Sequence, residues 1–569
     1  MSSALSSLNK YARVAAHIAI QKSPKMVQAL FKHTEEHRAR RFARLYEKGR
    51  SIDPSKGTLL FWVPGGMPLL LHVEASIAAA MKLRGYNVHA IICNSPYRAC
   101  AVRTAGEGLP ISKWRDVCTT CIRKTSTLLE TFGIPYSYNG DLVSEQERQD
   151  LWNATQEVTW DNLETLDFQG LNIAKNIRSS IIRYLQGSAL TGHEAIVREF
   201  AYSGLVSACA ASHALERFNP WRIFMSHGVY VDWGPVLHLA RSQGVPVTAW
   251  KSAYQSWHYY MRHIEDPGRI DFKKLSGKTW SQVKSHELTP RQNARLEKFF
   301  EDRYEKRISF DMRQNLRQYR ADASDLKSKY APTDKPVWCV FSHINWDSVA
   351  DFAPMAYPHF DDWIVDTIKQ AIQVPDVQWL IKIHPIEAWD NPATGVQRLI
   401  ERTFPQLPDH VRIIPAEEDI SPANLYQLID GGITVYGTAG LELALLGKPV
   451  IVAGEAHYGG LGFTYEGLNP PAYRALLRRA ASIGPLSAEQ RALVRKYAYA
   501  HFVQGQIPMP VLHDPNSKWW NFQYDKTEML LTDPFLDFIC NRLIDGLDFQ
   551  LPEELVHISE RETAEAVAG

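Results

Sequence analysis

The chain has 569 residues, enough for about two to four domains and too many for a single small binding module. With 45% hydrophobic and 22% charged residues it has the composition of an ordinary globular protein, which excludes wholesale disorder. Its 63 Lys and Arg nearly cancel 62 Asp and Glu, so no global field draws it to a polyanion and no nucleic-acid partner is expected.

In chain order, residues 1–50 are predicted to form a basic helical extension. They hold 11 Lys or Arg against 3 Glu, with Val27, Leu30 and Phe31 at helical spacing. Two readings are open: a helix packed on the domain that follows, or peripheral contact with an anionic membrane face near lipid-linked substrates. The apolar stretch from Leu59 to Leu71 is broken by Pro64, Gly65, Gly66 and Pro68, so no membrane span is expected. The opening segment lacks the layout of a secretory signal. The seven Cys are odd in number and dispersed, which suits a reducing compartment; the expected location is the cytoplasm, extending to the inner face of the membrane.

Residues 51–270 read as an N-terminal Rossmann-like domain. The strand TLLFWV (58–63) leads through a Pro-Gly breaker to a helix from His72 to Arg84 and the strand NVHAIIC (87–93). RIFMSH (222–227), a helix from Gly234 to Ser242 and VPVTAW (245–250) repeat the pattern. A charged helical connection spans 271–335. A second Rossmann-like domain, 336–495, follows as PVWCVFSH, VQWLIKIHP, VRIIP, ITVY and PVIVAG with helices between them. Residues 496–569 are a C-terminal helical extension with an acidic tail. The fold class is therefore α/β, with parallel sheets whose ligands belong beyond the carboxyl ends of the strands.

Three strand-end loops of the second domain carry chemistry. VQWLIKIHP puts Lys382 and His384 on one side of its strand by the period-2 rule, with Pro385 ending the ladder. Gly437, Thr438, Ala439 and Gly440 open a helix, where backbone N–H groups and the dipole favour a phosphate; Glu442 follows as a ribose acceptor or a helix cap. The Gly-rich loop 454–467 offers Glu455, His457, Tyr458 and Thr464. Loop 343–347 adds His343 and Asn345, within reach of either substrate, and Trp346 as a stacking face or a core anchor.

The order of a His-Pro motif, a Thr among small residues opening a helix, GKPVI and a Tyr-Gly loop ending in Thr resembles the C-terminal half of the capsule-polysaccharide biosynthesis glycosyltransferases, a family that includes transferases of 3-deoxy-manno-octulosonic acid (Kdo). It is similar in kind to GT-B sialyltransferases, whose His-Pro motif and hydroxyl pair bind CMP. The resemblance covers about 336–467 and implies a GT-B fold, two Rossmann-like domains facing a cleft. It further implies transfer from a nucleotide sugar, CMP-linked by preference and UDP-linked as the option, to a saccharide or lipid-linked saccharide acceptor, with no other cofactor. His384, Pro385 and Thr438 are the matching positions. This chain has a single hydroxyl in Gly-Thr-Ala-Gly, which leaves the nucleotide open. The second domain would hold the donor and the first the acceptor.

Transfer builds negative charge on the leaving phosphate, which Lys382, His384 and the 437–440 loop would offset. No DxD pattern ends a strand here, so no divalent cation is expected. The acceptor's general base should come from the loop after RIFMSH: His227 and Asp232, with Glu74 and His72 in reserve. Either could instead be structural, His227 bonding the strand end and Asp232 capping a helix. Gly65 and Gly66 would let a ligand or the other domain approach closely. Cys93, Cys100, Cys118 and Cys121 form a C-x6-C-x17-C-x2-C window, readable as a metal site or, more simply, as buried thiols. A UDP-sugar 2-epimerase of the same architecture and a non-catalytic nucleotide- or sugar-binding protein are the competing readings.

Overall fold

The computed structural model describes residues 24–65, 67–100, 117–187, 192–266, 273–305, 323–347, 353–390, 395–418, 420–514 and 521–568. It begins with α1 (Pro24–Glu47), whose Phe42 and Leu45 are buried against the first domain, so the packed-helix reading holds for its C-terminal half. Val27, Leu30 and Phe31 lie outside the residues whose side chains are described.

The first domain follows as β1 (Thr58–Val63), α2 (Pro68–Leu83), β2 (Asn87–Ile92), α3 (Cys118–Thr131), β3 (Tyr136–Tyr138), α4 (Glu145–Ala154), the short hairpin β4–β5 (Asp167–Phe168, Leu171–Asn172), α5 (Ala174–Leu185), α6 (Glu194–Phe218), β6 (Pro220–Ser226), α7 (Tyr230–Ser242), β7 (Val247–Ser252) and β8 (His258–Ile264). Its sheet has the order β15-β8-β7-β6-β1-β2-β3, parallel from β7 to β3. Strand β1 shows why it forms: Leu59, Phe61 and Val63 enter one core while Leu60 and Trp62 enter another, the period-2 alternation of a strand buried on both faces. Helix α2 starts at Pro68, four residues before the expected His72, because proline's fixed φ suits the first turn.

The connection forms α8 (Gly277–Ser285), α9 (Pro290–Tyr304) and α10 (Ala323–Tyr330), and Leu296 and Phe299 of α9 pack into the second domain's core. That domain runs β9 (Val337–Phe341), α11 (Phe360–Ile372), β10 (Gln378–Lys382), α12 (Val396–Thr403), β11 (Val411–Ile414), α13 (Pro422–Leu428), β12 (Gly431–Thr434), α14 (Thr438–Leu445), β13 (Val450–Val452), β14 (Tyr465–Glu466), α15 (Pro470–Arg478) and α16 (Ala488–Tyr499). Its sheet, β11-β10-β9-β12-β13-β14, is parallel throughout, and its order reverses between β9 and β12. In the first sheet the reversal falls between β1 and β6.

The C-terminal extension then returns to the first domain. Strand β15 (Ile507–Pro508) pairs antiparallel with β8, and α17 (Pro534–Asp545) and α18 (Glu553–Ala568) follow. Phe535, Ile539 and Leu543 of α17 bury against the same core as Val73, Ile77 and Met81 of α2. No helix among the described residues is long and apolar enough to cross a membrane.

Candidate functional site

The two sheets meet through the loops at their carboxyl ends. Tyr230, opening α7 just beyond β6, donates its hydroxyl to Asp347 in the loop after β9, 2.7 Å away, and Arg183 pairs with the same carboxylate. Tyr254, in the loop after β7, shares a hydrogen bond of 2.6 Å with Thr438 at the start of α14. Both switch points thus open onto one cleft, where α/β sheets bind ligands.

On the second domain's side, Gly437 caps α14 and the first helical N–H groups lack intrahelical acceptors. The glycines here make room for protein rather than for a ligand. A Cβ on Gly440 would lie 2.1 Å from the Tyr458 hydroxyl and one on Gly437 2.6 Å from Thr434 Oγ1. Tyr458 is fully buried and donates to the Gly437 carbonyl at 2.6 Å, so it braces the helix start and does not line the cleft, contrary to expectation. Thr464 is likewise taken up by Glu466 beside β14.

Glu442 is corrected outright. It is the fifth residue of α14, 3% exposed, with one oxygen held by Arg303 at 3.0 Å and the other by Tyr426 at 2.9 Å. It is committed to a buried ion pair and neither caps the helix nor faces a ribose.

Lys382 and His384 also differ from expectation. The ladder ends at Lys382, whose buried Nζ donates to the Pro415 carbonyl at 2.9 Å toward β11. His384 starts a turn: its N–H donates to Ser342 Oγ, its Nδ1 accepts from Ile386, and Pro385 O accepts from Ala388. His343 is buried between the loops after β9 and β12. Its Nε2 accepts from the N–H groups of Val435 and Tyr436 at 3.1 and 3.3 Å, and its ring stacks on Phe360. Burial, with His384 as a lesser cause, pushes its pKa down to about 3, so the neutral imidazole stitches the switch point together. Asn345 is buried and donates to Asp361 at 2.7 Å, and Trp346 is buried too, so neither offers the cleft the contact expected.

The cations that do converge were not singled out in the sequence. Lys273 donates to the Tyr254 hydroxyl at 2.8 Å, and Arg303 and Lys273 both lie 4.8 Å from that ring's centre. Lys251, closing β7, acts electrostatically on Tyr254 and on His227. Lys273 and Arg303 therefore flank the contact between Tyr254 and the α14 start, Arg303 with Glu442 as its counter-ion. Lys251 and Tyr254 follow a strand that the pattern did reveal; Lys273 and Arg303 lie in the connection, where periodicity shows a helix but not what it faces.

On the first domain's side, His227, Gly228 and Tyr230 have φ of +51°, +73° and +62°, and left-handed backbone at two non-glycine residues is strain of a kind that collects at functional loops. The His227 imidazole faces Trp233, with Nδ1 buried and unpartnered. Burial, then the charge of Lys251, pushes it down to about 4, so it is neutral near pH 7. Asp232, 1% exposed and third in α7, instead lines a small pocket at the β1/β6 switch point with Pro64, Gly65, Tyr97 and Trp233. The two candidate bases thus look in different directions.

Gly65, at φ +96°, makes room for α3, since a Cβ there would lie 2.5 Å from Thr125 Oγ1. Gly66 lies outside the described residues. Glu74 is a clamp behind the loop: its Oε1 accepts from Ser226 N–H at 3.0 Å and Trp250 Nε1 at 3.3 Å, and burial pushes the carboxyl up to about 8. His72 is pushed down to about 4 by burial. Cys93, Cys100, Cys118 and Cys121 do gather around the Asp232 pocket, none of them in a disulfide, but among the described residues they form no metal-ligand cluster.

Two parallel-rich sheets joined by a helical connection, with their strand-end loops in contact and a C-terminal return to the first domain, define a two-domain α/β protein. Residues 293–496 match the model of the family described as capsule polysaccharide biosynthesis protein. No curated protein matches the chain. Among solved structures, two of KpsC from Thermosulfurimonas dismutans are similar: the beta Kdo 2,4 transferase (15% identity, 54% of this chain and 86% of that one, TM-score 0.33) and the beta Kdo 2,7 transferase (12%, 57% and 88%, 0.32). A UDP-GlcNAc 2-epimerase from Neisseria meningitidis is also similar (11%, 78% and 96%, 0.24).

Proposed function

We propose that the protein is a metal-independent glycosyltransferase of surface-glycan synthesis that moves a sugar, Kdo or another ulosonic acid, from a CMP-linked donor to a saccharide or lipid-linked saccharide. The observation that carries this reading is the placement of Lys273 and Arg303 on Tyr254, which is itself bonded to Thr438 at the α14 start, between the strand-end loops of two mainly parallel sheets. The capsule-family match of the donor half supports it.

In the net reaction the acceptor oxygen bonds the anomeric carbon, the bond from that carbon to the donor phosphate breaks, and the acceptor proton goes to a protein base. The charge appearing on the phosphate is met by Lys273 and the α14 N–H groups, with Arg303, paired to Glu442, behind Tyr254. His227, held neutral in the loop after β6, serves as the base, with Asp232 of the neighbouring pocket as the alternative. Tyr254 and Thr438, bonded to each other, exchange that bond for the donor.

Adding CMP, UDP, GDP and dTDP singly while following Tm is the test, with donor hydrolysis as the second step. A rise with CMP, followed by release of CMP from a CMP-sugar, is expected. Silence from all four overturns the reading, and a shift with UDP alone without transfer moves it to the epimerase.

A further inference from the structure

Among the described residues the four-cysteine window builds no ligand set, yet a different one stands between α4 and α6 of the first domain. Cys209 and His213 are one helical turn apart on α6, so their side chains share a face. Glu147, in the first turn of α4, reaches the same spot. Its Oε1 lies 2.7 Å from His213 Nε2 and 3.8 Å from Cys209 Sγ, and the three ligand atoms all fall within 4.8 Å of one another.

We propose that Cys209, His213 and Glu147 form a zinc site that clasps α4 to α6, separate from the cleft and independent of the glycosyltransferase reading. One thiolate, one imidazole and one carboxylate are the ligand types zinc accepts, and a tetrahedral ion needs its N and O ligands about 3.3 Å apart and sulfur about 3.5 Å from either. The present spacings bracket those values, so side-chain adjustment of less than about 1 Å admits the ion. The remaining Glu147 oxygen is already fixed. Oε2 accepts from the Ser144 N–H and hydroxyl at 2.7 Å each, in the capping box that starts α4, which orients Oε1 toward α6 before any metal arrives. His213 and Glu147 are 41% and 37% exposed, so the fourth position faces water.

The test is metal titration of the purified full-length chain with Zn(II), followed by metal analysis after gel filtration, and with Co(II) read by its absorption. One equivalent per chain is expected, with the thiolate-to-cobalt charge-transfer band, and Tm should rise on adding Zn(II). Cys209→Ser should abolish that band. Glu147→Gln, which keeps the capping box because glutamine serves there as well, should weaken binding at least tenfold while leaving the metal-free Tm within a few degrees. No retained metal, or equal retention in Cys209→Ser, overturns the proposal and leaves Glu147 and His213 as an ordinary ion pair.

Discussion

Thr438 places one hydroxyl at the contact between the domains, bonded to Tyr254 from the opposite domain. Thr438→Val keeps the shape and removes the bond, and calorimetric titration with CMP should show affinity about 5- to 30-fold weaker, the worth of one or two hydrogen bonds. Unchanged affinity would put the nucleotide elsewhere. Glu74 makes a second prediction through its pKa. With its carboxyl near 8 in the fold against about 4.5 unfolded, stability is full below pH 4.5 and falls as pH rises toward 8, because the unfolded chain ionises first. The full loss is on the order of 5 kcal/mol at about 1.4 kcal/mol per unit. Denaturation of wild type and Glu74→Gln at pH 5 and pH 8 checks it: the wild type should lose stability over that interval, and the variant should lose several kcal/mol less. Equal slopes would deny Glu74 its buried, protonated state.

At the scale of elements, α14 depends on a glycine and a tyrosine fitted to each other. Gly440→Ala drives a methyl into the Tyr458 hydroxyl and should cost about 1–3 kcal/mol. Tyr458→Phe removes that oxygen, so the double variant should be less destabilised than the sum of the two, and strict additivity in a denaturant series would rule the contact out. The same helix shows how far the amino-acid sequence could be read. Gly-Thr-Ala-Gly after an apolar strand announces a helix start at a sheet's carboxyl end, because glycine freedom, strand composition and helix period are local signals. What the glycines accommodate is not local: Tyr458 arrives from a loop some twenty residues on. Lys382 and Glu442 fail as cleft residues for the same reason. Their partners, the Pro415 carbonyl and Arg303, come from elements whose approach no periodicity encodes. Strand β8 escaped the pattern because His258, Arg262 and His263 interrupt its apolar run, and helix α6 because its middle is buried nearly all round and shows no polar face.

For the whole molecule, Asp347 and Tyr254 carry polar contacts across the cleft beside a buried cluster that joins Ile177 and Val231 of the first domain to Trp346 and Phe360 of the second, so opening the cleft to admit a donor works against buried apolar surface. Asp347→Asn weakens the hold of Arg183 and Tyr230 and should raise the donor's off-rate in stopped-flow measurements while Tm changes little. A large fall in Tm would instead make this contact part of the fold. Removing residues 506–569 is a harsher test. It strips β15 from β8 and Phe535, Ile539 and Leu543 from α2, and the truncated chain should aggregate on expression.

That return of the chain also sets the order in which the molecule can be completed. Roughly 240 residues separate the end of β8 from β15. At synthesis rates of about 5–20 residues per second, the edge of the first sheet waits about 12–50 s for its last strand. The second domain, continuous in sequence, leaves the ribosome whole in that interval. The domain that begins the chain is therefore the last to be finished, and its open edge is what a nascent-chain chaperone would have to shield.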